Sequence, residues 1–304
     1  MRFYLKKLIL SIPGSTISAI ITIFFILKER LKIKIIFGKR NFKLFNLNQF
    51  KKDLKNPFFI LGAGLSINEL SSSEKKFIEQ STSFGINFFC ISDLNPKFLV
   101  WESPKKQELK NKYLQLLKNK NQRFCGNKSK LLLHDSFITK KKYEIEELFK
   151  YFDNIHVYST ALIKCVNRDK LDDLYKYLYN PFILKLLGPN MVYGLHSTVD
   201  RLTHLAILAG FNEIVYAGVD LNSSKYFWDE KNLQNEMQNQ LIKLVKKNSH
   251  GQHTTEGNPG QISASEVIKS NYNYAYSKGV KLYTTSKKSK LSSFLPVYKF
   301  TAID

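Results

Sequence analysis

Two histidines, His250 and His253, stand three residues apart in the stretch 248–257, among Asn, Ser, Gly, Gln, Thr and Glu. A neutral imidazole takes up a proton near pH ~6.5. Histidines in such a polar loop, away from any apolar run, suit acid–base work better than packing. Zinc is a poor use for the pair, because no cysteine or third histidine lies at the spacing of a metal site. Upstream, Asp220 closes the apolar run 214–219, and the polar loop after it carries Asn222 and Tyr226. A third stretch, Gly62-Ala63-Gly64-Leu65-Ser66, follows the apolar run 58–61. Two glycines and a serine between a strand and a helix present bare N–H groups that can cradle a phosphate, aided by the helix dipole. A plain tight turn uses the same residues, and the third glycine of the dinucleotide fingerprint is missing. Asn87 and Ser103 end two further apolar stretches, either as site residues or as ordinary turn formers.

These residues need elements to hold them. Residues 58–61, 83–89, 98–101, 130–134, 155–158, 214–219 and 280–284 are short apolar or β-branched runs, the pattern of interior parallel strands. Between the last two of the site stretches lies a helix over 197–209. Ser197 or Thr198 caps it, Val199, Leu202, Ala206 and Ala209 recur at helical spacing, and Gly210 ends it. Helices are also expected towards residue 77, over 105–118, 169–187 and 230–247, and after Ser263, where Glu266 completes a capping box. Strands alternating with helices predict the α/β class: one Rossmann-like parallel sheet flanked by helices. Ligands then lie beyond the carboxyl ends of the strands, which directs attention to Asp220 and its loop. The helix over 230–247 is placed to act in a small lid, about 221–260. His134 and His156 lie inside apolar runs and are read as packing residues.

Residues 8–27 contain no charged side chain, and basic residues flank them on both sides, more densely after the run. About 20 apolar residues span a bilayer core, although Pro13, Gly14 and several hydroxyl residues interrupt this run. Residues 1–55 are therefore expected to form an apolar membrane-associated helix and a basic linker, with the Rossmann-like domain over 56–304. The helix either spans the membrane or lies in its interface; a signal peptide is disfavoured by the length of the run and the lack of a small-residue cleavage site. The charge bias places the body of the protein on the cytoplasmic face.

With 304 residues, 43% hydrophobic and 13% aromatic, the chain has ample material for a core. A formal net charge of +22 either reflects lysines spread over solvated faces or marks an anionic partner: a nucleotide donor, an anionic membrane or an acidic glycan. Nucleic acid is disfavoured, since the lysines are scattered rather than interleaved with aromatics on one element. Cys90, Cys125 and Cys165 are too far apart to suggest a zinc site or a disulfide framework, which fits a reducing compartment.

Taken together, several segments over residues 57–295 resemble the bacterial lipooligosaccharide sialyltransferases of glycosyltransferase family 42, and more loosely the 6-hydroxymethylpterin pyrophosphokinase-like group. Gly62-Ala63-Gly64-Leu65-Ser66 stands where the family has Gly-Asn-Gly-Pro-Ser. Asn87 matches a donor-binding asparagine, and Ser103 replaces a second one. Ser197-Thr198 resembles the Thr-Ser pair that opens a donor-contacting helix, and residues 209–220 resemble the helix–strand core. In the following loop Tyr226 matches one of two tyrosines on the leaving phosphate, while Asn222 replaces the other. Asn248-Ser249-His250 and then His253 resemble the family's Asn-Ser-His…His, with His253 at the catalytic position and the spacing one residue shorter.

The resemblance implies an inverting transfer from a CMP-activated sugar, with no metal and no further cofactor, to a glycan or glycolipid acceptor. The donor-binding set would be Gly62, Gly64, Ser66, Asn87, Ser103, Ser197, Thr198, Asp220, Asn222 and His250. His253 would serve as base and Tyr226 as hydrogen-bond donor to the departing phosphate. The departures fall on donor contacts, so another nonulosonic acid is as plausible a donor as sialic acid. A homo-oligomer stays open. The rival readings are a pterin-type diphosphotransferase, which would need a carboxylate cluster for magnesium, and a non-catalytic nucleotide-binding membrane protein.

Overall fold

The computed structural model describes residues 43–102, 104, 106–123, 130–134, 148, 155–162, 168–181, 191–195, 197–222, 225–230, 236–248 and 262–300, with Phe24, Leu27, Lys28 and Leu31. Short apolar runs become strands because alternate side chains have a helical layer to enter on each face. In β2 (Phe58–Leu61), Phe59 and Leu61 enter one core, and Phe58 and Ile60 enter the other.

Among the described residues the strands are β1 (Lys43–Leu44), β2, β3 (Thr82–Gly85), β4 (Phe98–Trp101), β5 (Lys130–His134), β6 (Ile155–Leu162), β7 (Met191–Gly194), β8 (Glu213–Ala217) and β9 (Lys281–Thr284). All their pairings are parallel, in the order β1-β6-β5-β4-β3-β2-β8-β9. β7 pairs with the second half of β6, from Ser159 to Leu162. This is the α/β parallel sheet expected from the sequence.

Among the described residues the continuous α-helices are α1 (Ser72–Gln80), α2 (Gln107–Arg123), α3 (Arg168–Leu178), α4 (Thr198–Ala209), α5 (Glu236–Asn248) and α6 (Ala264–Ser277). α1, α2 and α5 cover one face through Ile78, Tyr113, Leu117, Leu241 and Val245. α4 and α6 cover the other through Leu202, Leu205, Ala206 and Ile268. On that second face Phe84 stacks on Phe58 and on Phe98, with centroids 4.8 and 4.5 Å apart, so three neighbouring strands share one aromatic column.

Three sequence expectations change. The fold takes in residues before Asn56: Phe45 and Phe50 are buried against Phe84 and Phe98. β3 stops at Gly85, because the chain turns left-handed at Asn87 instead of extending to residue 89. The apolar membrane helix gains no support. Of residues 8–27 only Phe24 and Leu27 are described, both helical, and among the described residues no helix is long and apolar enough to cross a membrane. α5 lies on α2 with Leu241, Ile242 and Val245 buried, and Lys112 Nζ donates to Gln240 Oε1 at 2.8 Å.

Candidate active site

The chain runs from β2 through β3, β4 and β5 to β6 on one side, while β8 and β9 lie on the other side of β2. The strand order therefore reverses between β2 and β8. Loops leaving adjacent parallel strands in opposite directions open a crevice at their carboxyl ends. A cavity of about 50 Å³ lies there, lined by Gly62, Ala63, Gly64, Ile86, Asn87, Val199, Gly218, Val219, Asp220, Leu221, Lys225 and Tyr226. It is smaller than the ~300–1,000 Å³ of whole-ligand pockets.

Two loops interlock to form it. Gly62 N–H donates to Ala217 O and Gly64 N–H to Gly218 O, both at 2.7 Å. A methyl group on Gly64 would sit 2.4 Å from Asp220 Oδ2, and one on Gly62 2.3 Å from Gly218 O, so both glycines are required by close approach. Asp220 reaches back across the gap: its carboxylate accepts from Ser66 Oγ at 2.5 Å and from Ser66 N–H at 3.0 Å. Three amides of the glycine turn, those of Gly62, Gly64 and Ser66, are thus spent inside the protein, on Ala217, Gly218 and Asp220.

The second half of the loop is anchored to the same turn. Phe227 N–H donates to Ala63 O at 2.9 Å, Gly64 and Tyr226 form a bridge, and Asn68 Nδ2 donates to Phe227 O at 2.8 Å. Tyr226 stacks on Trp228, with centroids 4.5 Å apart. Its phenol pKa is raised by burial, with the Asp229 carboxylate adding to the effect, so it stays a protonated hydrogen-bond donor through the physiological range. Behind the loop, Ser289 Oγ donates to Val219 O at 2.9 Å and Lys290 N–H to Asp220 O at 2.8 Å.

Two non-glycine residues of the wall have left-handed backbones, Asn87 at φ 54° and Leu221 at φ 59°. Asparagine tolerates this region; for leucine it is a real cost, sustained only where the surroundings fix it, and such residues cluster at functional sites. Asn87 is held by Tyr113, whose buried hydroxyl donates to Asn87 O at 2.5 Å.

The structure thus brings Gly62, Gly64, Asn87, Asp220 and Tyr226 to one cavity. Ser66 stands behind it, committed to Asp220. Ser197 caps α4 by accepting from Asp200 N–H at 3.1 Å, and Thr198 Oγ1 accepts from Arg201 Nη2 at 2.6 Å. Both hydroxyls are engaged within the helix, and Val199 is the α4 residue in the wall. Asn222 turns away, its amide donating to Lys288 O. Ser103, His250 and His253 lie outside the described residues. Among the described residues no group of three or more His, Cys, Asp or Glu side chains could hold a metal ion.

The chain is similar to bacterial sialyltransferases. The α-2,3-sialyltransferase Cst-I from Campylobacter jejuni matches at 13% identity over 86% of this chain and 86% of that one, with a TM-score of 0.48. CstII from Campylobacter jejuni, solved with the substrate analogue CMP-3FNeuAc, matches at 17% identity over 80% and 86%, with a TM-score of 0.44. CST-II with a trisaccharide acceptor and CMP matches at 17% identity over 80% and 86%, with a TM-score of 0.43. At these identities and scores the similarity assigns neither substrate nor reaction to this chain. No family model and no curated protein sequence matches it.

Lys225, beside Tyr226, was missed by the sequence reading. One lysine among so many carries no local signal; only its neighbour's anchoring to Gly64 brings it to the wall. His156 is buried edge-on to Phe45 and Phe98, as a packing residue.

Proposed function

We propose that the chain is a sialyltransferase-type glycosyltransferase. It moves a nonulosonic sugar, inverting and without a metal, from a CMP-activated donor to a cell-surface glycan or glycolipid. The carrying observation is the convergence of Asn87 and Tyr226, far apart in sequence, on one cavity at the topological switch point. Asn87 suits the sugar or ribose, and the Tyr226 hydroxyl suits the departing phosphate; preorganised donors of this kind are typically worth ~2.7–4 kcal/mol of barrier. His253 acts as the base on the acceptor hydroxyl. The N-terminal apolar segment, with the basic residues around it, attaches the enzyme to the cytoplasmic face of the inner membrane, and the pathway served is lipopolysaccharide-type assembly.

CMP should raise the melting temperature, since a ligand that binds only the native state stabilises it by mass action. His253→Ala should abolish transfer and leave CMP binding intact. Retained turnover in that variant would reject the assignment of the base, and absence of any CMP effect would reject the donor class.

A further inference from the structure

A phosphate in this cavity meets an electrostatic difficulty. Asp220 lines the wall, and its carboxylate is fixed there by Ser66. An anionic ligand beside it is repelled unless a cation lies on the same wall. The tyrosine hydroxyl is a neutral donor. Asn222 does not help, since its amide faces the Lys288 carbonyl and it is absent from the wall. Lys225 is the one cation among the described lining residues, and Asp220 the one acid. The residue after Lys225 is held to the glycine turn by the Gly64–Tyr226 bridge and the Phe227–Ala63 bond. Lys225 is thereby delivered to the cavity by an anchored backbone, not by a free arm.

We propose that Lys225 is a catalytic residue that binds the donor phosphate, offsetting Asp220 and taking up charge on the leaving group. This rests on the transferase reading above. In that reaction the bond between the anomeric carbon and the phosphate oxygen breaks, and its electron pair stays on that oxygen. The acceptor oxygen forms the new bond to carbon, and its proton goes to the base. Lys225 transfers no proton: its ammonium makes a charge-assisted hydrogen bond that shortens as the phosphate gains charge. The site then pairs a lysine with a tyrosine on the phosphate, and selects donors whose leaving group is an anionic phosphate.

The test is calorimetric titration of the full chain with CMP and, separately, with cytidine, for the wild type, Lys225→Ala and Lys225→Arg. Lys225 is exposed, so the alanine variant should fold. Lys225→Ala should weaken CMP by about 10–100-fold, the range for a lost hydrogen bond to a charged group. Cytidine, which has no phosphate, should bind wild type and Lys225→Ala alike, and Lys225→Arg should recover most of the CMP affinity. CMP affinity in Lys225→Ala within about threefold of wild type overturns the proposal, as does an equal loss for cytidine. Both results leave the transferase reading standing. A wild-type protein that does not bind CMP overturns that reading, and this proposal with it.

Discussion

Ser66 separates two accounts of the glycine turn. In one it touches the donor; in the structure its hydroxyl and amide both hold Asp220. Ser66→Ala removes the 2.5 Å bond from Oγ to the carboxylate and leaves the 3.0 Å bond from N–H. The lost bond is buried on the serine side, with Ser66 4% exposed. Hydrogen bonds to charged groups contribute roughly 1.5–3 kcal/mol. For a domain of this size, about 2–4 °C of melting temperature accompanies each kcal/mol, so the variant should melt about 3–12 °C lower. Its CMP affinity should stay within about threefold of wild type, because Asp220 keeps one anchor and the hydroxyl never met the ligand. Scanning calorimetry and titration with CMP read the two quantities on one preparation. An unchanged melting temperature together with lost CMP binding would refute the reasoning, since Ser66 would then belong to the ligand and not to Asp220.

A second outcome concerns pH. Burial raises the Asp200 pKa to about 6, with Asn271, the Leu195 N–H and Arg201 opposing the rise, and burial lowers that of His204, 3.2 Å away, to about 3. The raised carboxylate contributes stability that is present below its unfolded value and lost as pH rises through about 6. The depressed imidazole contributes stability that is present above its unfolded value and lost as pH falls towards about 3. The two slopes oppose each other between about pH 6 and 4, so wild-type stability should be nearly flat there. Asp200→Asn removes the carboxylate's slope, so its stability should fall more steeply than that of the wild type as pH drops through that window in urea titrations; parallel profiles for the two proteins would sink the idea. Gly64→Ala should cost about 1–3 kcal/mol, because the new methyl meets Asp220 Oδ2 at 2.4 Å and Gly218 O at 2.8 Å. Wild-type stability for that variant would mean the two loops are not interlocked. Ser263→Ala should lower stability by about 1 kcal/mol, since Ser263 and Glu266 complete a reciprocal cap on α6; an unchanged denaturation midpoint would contradict this.

What the sequence makes legible here is local. Ser197 caps α4 and Gly210 ends it at φ 89° because those two positions have chemistry of their own. The apolar runs of β2, β4 and β5 are short, bounded by polar residues, and become buried strands. β1 was invisible, since two residues cannot carry a periodicity; it exists because Phe45 and Phe50 fill the aromatic cluster beside it. Asp200 and His204 break the apolar pattern of α4. Both are buried, because α6 brings Asn271 to the carboxylate and Tyr179, just past α3, brings its hydroxyl to His204 Nδ1. Such a network depends on three segments meeting and leaves no pattern in any one of them. At the site the same division holds. The glycines and Asp220 announced a turn and a strand end, whereas their mutual grip, the retreat of Asn222 and the arrival of Lys225 follow from the loops' packing.

In the transferase reading a nucleotide phosphate occupies the crevice between the glycine turn and the Asp220 loop, facing Tyr226 and a histidine. The most direct measurement is a crystal structure of this chain with CMP. The phosphate is expected within hydrogen-bonding distance of the Tyr226 hydroxyl, with the Asn87 amide on the same ligand and the His253 imidazole turned towards it. CMP bound elsewhere, or His253 directed away from the crevice, would contradict the account.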